Sequence, residues 1–456
     1  MDFPKHIFKA YDIRGLVDGE LSEELAYNIG RAYVRFLRTK GADLSKYIVV
    51  GRDMRETSGP FSREVIRAIT DEGVNVVDIG MATTPLFNFA SAHYHDHVAG
   101  IMVTASHNPA SYNGFKMTLG DGMPVGQGSG IEQVRDFVEA ADFTDSESKG
   151  EVTKKDVLPD YISRIFELVP KESIKPLKIV IDAGNGMGKV TFTQWLKDLP
   201  VDVEYMYLEP DGTFPNHEAN PIKTETLIDL QTKVVETGAD FGFALDGDAD
   251  RIGLVDEKGQ VVDASFVSAL VGLEVLGQHP GAKMLYDLRQ SMIVPEVWLA
   301  AGAASAEKTV VGHAHIKKQM HETDAMYAGE LSLHLYYRDM YYLECTDLSL
   351  LNLLHLISRE GKTISQLVEP MKKFYHSGEI NFEVEEKDKM MQKIEDHFKD
   401  GATEISHLDG VWIGFDWGWL NVRKSNTEGV LRLNLEAKTV DEMKKRVEEV
   451  SGIINI

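Results

Sequence analysis

The stretch Ala99-Gly100-Ile101-Met102-Val103-Thr104-Ala105-Ser106-His107-Asn108-Pro109 decides how the chain is read. A short apolar run that stops at small, polar and proline residues reads as a buried strand delivering a loop to a sheet edge, where α/β proteins place their chemistry. The loop carries a hydroxyl, Ser106, beside an imidazole, His107. Nucleophile and base is one reading of the pair. Adjacent residues on an extended chain point to opposite faces, so a direct relay between them is sterically awkward. A second reading rests on turn chemistry alone, with Ser106 and Asn108 satisfying backbone groups ahead of Pro109. Asn113-Gly114-Phe115-Lys116 follows and adds a cation.

Outward from this loop, strands and helices alternate. A helical pattern from 22 to 40 stops at Gly41, and an apolar strand at 47–50 runs into Gly51-Arg52-Asp53-Met54-Arg55. A helix at 59–71 and a strand at 74–79 complete a mixed α/β layer. Residues 142–155 are charged and aperiodic, a first linker candidate. A second α/β unit follows, with strands at 177–181, 201–207 and 241–245, and a third holds the apolar helix at 264–276 and strands at 284–286 and 309–311. The recurring strand, Asp/Gly/Arg loop and helix hints at repeated domains. A Lys/Glu-rich stretch at 385–399 separates these units from a tail of aromatic strands and a closing helix at 440–450.

At 456 residues the chain exceeds one core, and roughly 150 residues per domain suggests three or four domains. No apolar run reaches membrane-spanning length and Met1-Asp2-Phe3-Pro4-Lys5-His6 lacks a signal-peptide core, so neither a membrane partner nor export is expected. One cysteine, Cys345, excludes an intrachain disulfide framework and suits a cytoplasmic setting. A formal charge of −24 argues against nucleic acid as a partner. An anionic small substrate remains open, provided cations are gathered locally.

Asp246-Gly247-Asp248-Ala249-Asp250 places three carboxylates at alternate positions after a strand, a hard oxygen set suited to Mg²⁺. An EF-hand reading fails because Arg251 stands where the sharp turn requires glycine. Gly184-Asn185-Gly186-Met187-Gly188 resembles a dinucleotide fingerprint, but Lys189 replaces its third glycine and a tight strand-to-helix turn is the simpler reading. Arg423-Lys424-Ser425-Asn426-Thr427-Glu428-Gly429 reads as an anion cradle or as an exposed loop. Glu330, Ser332 and His334 alternate along one face of an extended segment, either a comb for sugar hydroxyls or a half-exposed strand.

Together, Ala10-Tyr11-Asp12-Ile13-Arg14-Gly15, the Ser106 loop, Asp246 to Arg251, Gly329-Glu330-Leu331-Ser332 and Arg423 to Glu428 resemble the α-D-phosphohexomutase family, most closely its bacterial phosphomannomutase/phosphoglucomutase members. The resemblance spans nearly the whole chain in the family's order. It implies an α/β fold of three related mixed α/β domains plus a C-terminal α+β domain around a central cleft, with divisions expected at 1–148, 149–254, 255–369 and 370–456. It also implies an intramolecular phosphotransferase that interconverts hexose 6-phosphate and hexose 1-phosphate through a phosphoserine and a hexose 1,6-bisphosphate. By resemblance, Ser106 carries the phosphoryl group, and its oxygen with Asp246, Asp248 and Asp250 holds Mg²⁺. Arg14, Lys116 and His107 line the transfer site. Arg423, Ser425, Asn426 and Thr427 hold the non-reacting phosphate, while Glu330 and Ser332 bind sugar hydroxyls with help from His313, Arg289, Arg251, His334 and Tyr11. The partners are sugar phosphates, and the chain is a monomer or homodimer.

Three positions depart from the family pattern. Leu333 replaces a small residue and is expected to add bulk beside the sugar; Leu331 replaces a common Met; Gly429 replaces a usual Pro and loosens the phosphate loop. The alternatives are a phosphoglucosamine mutase and a catalytically silent sugar-phosphate-binding protein. An oxidoreductase rests only on the imperfect glycine stretch.

Overall fold

The computed structural model describes residues 3–425 and 429–454. Four sheets follow one another along the chain. The first has six strands in the order Ile13–Leu16, Tyr112–Leu119, His97–Val103, Tyr47–Arg52, Asn75–Met81 and Val152–Lys154. Its centre is parallel, and its Ile13 edge is built by antiparallel pairing. Apolar runs form these central strands because helices cover both faces. Ile48, Val49 and Val50 have no exposed surface. Ser22 caps the helix Glu23–Thr39 by accepting the Leu25 N–H at 3.1 Å, and Glu23 and Glu24 complement the positive end of its dipole.

The second and third sheets each have five strands, mixed in direction; the fourth is wholly antiparallel, with the helices Lys387–Phe398 and Val440–Ile454 beside it. Three mixed α/β units and one α+β unit are therefore present. A continuous apolar core joins the first three, with Phe89 meeting Tyr161 edge-on at 5.3 Å, while the last unit packs its own core around Ile413, Leu420 and Leu433.

Several expectations need correction. Val152–Lys154, inside the expected linker, pairs with Val76, Val77 and Asp78 of the first sheet, so that sheet runs past 148. The division expected at 254/255 falls inside the strand Ile252–Asp256, which pairs on both sides within the second sheet. The Lys/Glu-rich stretch is no spacer: it forms the helix Lys387–Phe398, which buries Ile394 and Phe398. Its charge masks an amphipathic face.

The glycine-rich stretch at 184–188 turns sharply into the helix Gly188–Trp195. Met187 N–H donates to Gly247 O at 2.9 Å, and a side chain on Gly186 would come within 2.7 Å of the same oxygen. It is the floor on which the Asp246 loop rests.

Across the way, the loop at 209–221 reaches the first unit, laying Phe214 under the Arg55 guanidinium at 5.0 Å. His217 anchors this loop through Asp182 Oδ2 at 3.0 Å. Burial opposes charging His217, but the bond to Asp182 outweighs it and raises its titration point. A group raised in the folded state stabilises most below its unfolded value near 6.5 and loses that contribution as pH rises through the folded value. His217→Gln should therefore lower the melting temperature more at pH 6 than at pH 9, as followed by circular dichroism.

Candidate active site

Ser106 leaves the strand His97–Val103 and adopts a left-handed backbone, φ 50°, which is uncommon for a residue with a side chain and costs of order 1 kcal/mol or more. Three bonds hold the turn. Ser106 N–H donates to Thr104 Oγ1 at 3.0 Å, Asn108 N–H to Ala105 O at 3.1 Å, and Arg55 Nη2 to Ser106 O at 2.9 Å. Arg55 is 3% exposed and also donates to the carbonyls of Asn108, Pro109 and Tyr112, so one guanidinium gathers the whole loop. The turn also corrects an expectation. With Ser106 left-handed rather than extended, its Oγ does reach His107 Nδ1, at 3.2 Å.

Ser106 Oγ–H donates to Asp246 Oδ2 at 2.8 Å. Asp246, Asp248 and Asp250 are almost completely buried, with carboxylate oxygens within 4.8 Å of one another. At an effective dielectric of about 20, two ionised carboxylates at that spacing repel by roughly 3–4 kcal/mol. Burial and the charges of Asp250 and Asp248 accordingly push Asp246 well above the usual carboxylate range. Lys116 Nζ lies 2.7 Å from both Asp248 and Asp250 and offsets part of the repulsion. Asp248 Oδ1 and Asp250 Oδ1 are buried without a hydrogen-bond partner among the described residues, although His334 Nε2 stands 3.3 Å from the latter. Three hard oxygen donors, two of them without a hydrogen bond, fit a divalent cation.

These groups open into a cavity of about 710 Å³ between the four units. Tyr11, Arg14, Ser106, His107, Lys116, Asp250, Arg251, Arg289, His313, Glu330, Ser332, His334 and Arg423 all line it; Asp246 and Asp248 lie beneath its floor. Arg14 is fixed by Asp12 and donates to Asn108 Oδ1 at 2.7 Å. Burial, then Arg251 and Arg14, keep His107 uncharged at neutral pH by lowering it well below its usual value. Burial likewise lowers His313 to about 3, and its ring meets Tyr11 edge-on at 5.2 Å.

The segment with Glu330, Ser332 and His334 is not an extended comb. It is a five-residue hairpin loop between Tyr327–Gly329 and Leu335–Tyr337, closed by Glu330 N–H on His334 O at 3.0 Å. The loop still brings the three polar groups together: Ser332 Oγ and Glu330 Oε2 each lie 3.0 Å from His334 Nδ1. Burial would discharge His334, but Asp250 and Glu330 raise it to about 9. Leu333 sits at φ 72° with its side chain buried and does not line the cavity, so it adds no bulk there.

At the far end, Arg423 is 1% exposed and donates to Glu379 Oε2 at 3.1 Å; Arg289 Nη1 donates to the same oxygen at 3.4 Å, and Arg432 reaches Oε1 at 3.0 Å. Burial and the neighbouring Arg289 lower Arg423 from its ordinary value. Asp287 holds the other edge of Arg289. Ser425 closes the strand end through its N–H on Val430 O at 3.0 Å and does not line the cavity. Asn426 and Thr427 lie outside the described residues.

Sequence reading missed Arg55, Asp12, Glu379 and Arg432. Arg55 stood in a quoted strand-end loop; Glu379 and Arg432 had no signal beyond strand alternation, and only the register of Tyr375–Glu383 on Val430–Ala437 brings them together.

A metal-fitted serine turn, a sugar-sized cavity and an arginine cluster on four successive units define a multidomain phosphotransferase. Profiles of "Phosphoglucomutase/phosphomannomutase" alpha/beta/alpha domains I, II and III match residues 5–145, 159–259 and 264–374, and that of the C-terminal domain matches 379–453. A phosphomannomutase of Vibrio cholerae is 36% identical over 457 residues, covering 98% of both chains. The solved phosphoglucomutase/phosphomannomutase family protein of Burkholderia thailandensis superposes with a TM-score of 0.90 at 31% identity, over 99% of this chain and 97% of its own. An Aspergillus fumigatus N-acetylphosphoglucosamine mutase, solved with GlcNAc-6P and magnesium, shares the fold at TM-score 0.62 and 13% identity, over 98% and 95% of the chains. This chain belongs to the phosphoglucomutase/phosphomannomutase family. It is a hexose phosphate mutase of that type. Among the described residues no helix is long and apolar enough to cross a membrane.

The close fit between the loops gives a test. A side chain on Gly247 would come within 2.4 Å of Ser106 O, a backbone atom already held by Arg55. Gly247→Ala should displace the serine turn by a fraction of an ångström or more and lower turnover by on the order of 100-fold, with an unchanged far-ultraviolet circular dichroism spectrum.

Proposed function

We propose that the enzyme interconverts the 6- and 1-phosphates of mannose and glucose, with Ser106 as phosphoryl carrier and a hexose 1,6-bisphosphate as intermediate and activator. The observation that carries this reading is Ser106 Oγ, 2.8 Å from Asp246 Oδ2, in the cavity that also holds Glu330 and Arg423. Phospho-Ser106 donates to the free hydroxyl of a hexose monophosphate. The P–Oγ bond breaks, a P–O bond forms on the sugar, and the hydroxyl proton ends on Ser106 Oγ. After the bisphosphate turns around, Ser106 Oγ takes the other phosphoryl group and the proton passes to the departing sugar oxygen.

Phosphoryl transfer needs alignment and charge neutralisation more than covalent assistance. Ser106, Asp246, Asp248 and Asp250 would hold Mg²⁺, which supplies neutralising charge for the serine phosphate when bound. Arg14 and Lys116 contribute fixed positive charge beside Ser106, and neutral His107 supports the proton's position at Oγ. Glu330, Ser332 and His334, with Arg251, His313 and Tyr11 nearby, bind sugar hydroxyls in either orientation. Arg423 and Arg289 take the idle phosphate, assisted by Ser425, Asn426 and Thr427. A cavity of about 710 Å³ suits this, since small-molecule sites span roughly 300–1,000 Å³ and the bisphosphate must turn within it. The same reading divides the chain near 149, 255 and 370, with the first two divisions better set after Lys154 and Val262, where the sheets end. A single, buried Cys345 supports a cytoplasmic setting.

Intact-mass measurement before and after glucose 1,6-bisphosphate treatment should show one added phosphoryl group, mapped to the Ser106 peptide. Its absence under both conditions would overturn the scheme. Ser106→Ala should abolish mutase turnover, and chelation with EDTA should abolish it reversibly. Mannose 1-phosphate and glucose 1-phosphate should turn over faster than glucosamine 1-phosphate; the reverse order would assign the amino sugar. Arg423→Ala should raise KM for the monophosphates at least about tenfold, as expected when a charge-assisted bidentate donor is removed.

A further inference from the structure

A second depression lies on the first unit, and none of its lining residues lines the central cavity. Its volume is about 580 Å³, and it sits over the carboxyl ends of the parallel strands Tyr47–Arg52, Asn75–Met81 and Val152–Lys154. Open α/β sheets bind ligands at that end. Four cations ring it: Arg52, Arg63, Lys154 and Lys155. Arg52 ends its strand, Lys154 ends the edge strand on the far side of Asn75–Met81, and Arg63 projects from the helix Ser58–Asp71.

With 72 acidic and 48 basic residues, carboxylates are abundant, yet none among the described residues lies within 4.0 Å of the charged nitrogens of Arg52, Arg63 or Lys154. Arg52 donates to the carbonyl of Asp53, at 3.2 Å, and Lys155 lies over the Tyr94 ring at 3.2 Å. Two acids also line the depression, each turned to a backbone amide: Asp78 accepts from Gly80 N–H at 2.9 Å and Asp156 from Leu158 N–H at 3.1 Å. Four cations against two carboxylates leave a surplus of two positive charges in one concavity of a strongly acidic surface. Two guanidinium forks within that surplus match the geometry of phosphate oxygens.

We propose that this depression is a second anion site, taking a small phosphorylated molecule independently of the mutase cleft. The inference does not rest on the assignment of Ser106. Pyrophosphate is the probe, titrated calorimetrically into the full chain at low ionic strength. The wild type should bind at this site in addition to any binding in the cleft. Arg63→Glu/Lys154→Glu should lose one site, or bind there at least tenfold more weakly, and keep its mutase turnover within twofold of wild type when pyrophosphate is absent. Arg63→Gln/Lys154→Gln, whose folding is less at risk, should show the same loss more mildly. Arg423→Ala should keep the site. The inference is overturned if both double variants bind as the wild type does, if Arg423→Ala removes all binding, or if the control Lys444→Glu/Lys445→Glu weakens binding equally, since that would mark a response to net charge alone.

Discussion

Three carboxylates buried within 4.8 Å of each other, with a serine hydroxyl resting on one of them, form the constraint around which this molecule is assembled. Such a cluster is unstable unless cations converge on it, and all but the adjacent Arg251 come from distant parts of the chain. Lys116 comes from the first sheet, and Arg251 and His334 come from the second and third units. Thr84 adds a hydroxyl, donating to Asp248 Oδ2 at 2.6 Å. The acidic loop therefore does more than offer metal ligands. It is the electrostatic joint at which three units meet.

The same logic recurs at the opposite end of the cavity with the signs reversed. Arg289 from the third unit and Arg423 and Arg432 from the fourth share the carboxylate of Glu379, and Asp287 holds Arg289 from behind. Glu379 and Asp287 fix these guanidiniums in place at the cavity wall, where their forked donors suit the oxygens of a phosphate. A molecule with a formal charge of −24 can thus accept anionic sugars, because local composition rather than net charge sets the potential inside a cleft.

Rigid backbone contacts set the placement of the serine. Its left-handed turn is held by Arg55, whose guanidinium also lies over Phe214 of the second unit, and the facing loop has glycine at 247 because nothing larger fits against Ser106 O. The glycine-rich stretch at 184–188, so suggestive of a nucleotide fingerprint, supports that facing loop from beneath. Its glycines answer to close packing of backbone on backbone.

The amino-acid sequence by itself determined the order of strands and helices, the acidic triad, the serine turn and the arginine loop, because each is a local pattern: an apolar run ending in a polar loop, carboxylates at alternate positions, a proline after an asparagine. It also carried, through five loops in a fixed order, the family to which the chain belongs. It misread the charged helix Lys387–Phe398 as a spacer and the loop at 330–334 as an extended strand, since helical amphipathicity and a hairpin both depend on what packs against them. Only the tertiary structure decided that Ser106 Oγ touches His107, that Arg55 holds the serine turn, and that Glu379 joins three arginines. The contacts of Arg55 and Glu379 join residues whose sequence neighbours give no sign of one another, and a single left-handed residue turns Ser106 onto the histidine beside it; register and turn are settled by the packing of whole sheets rather than by local composition.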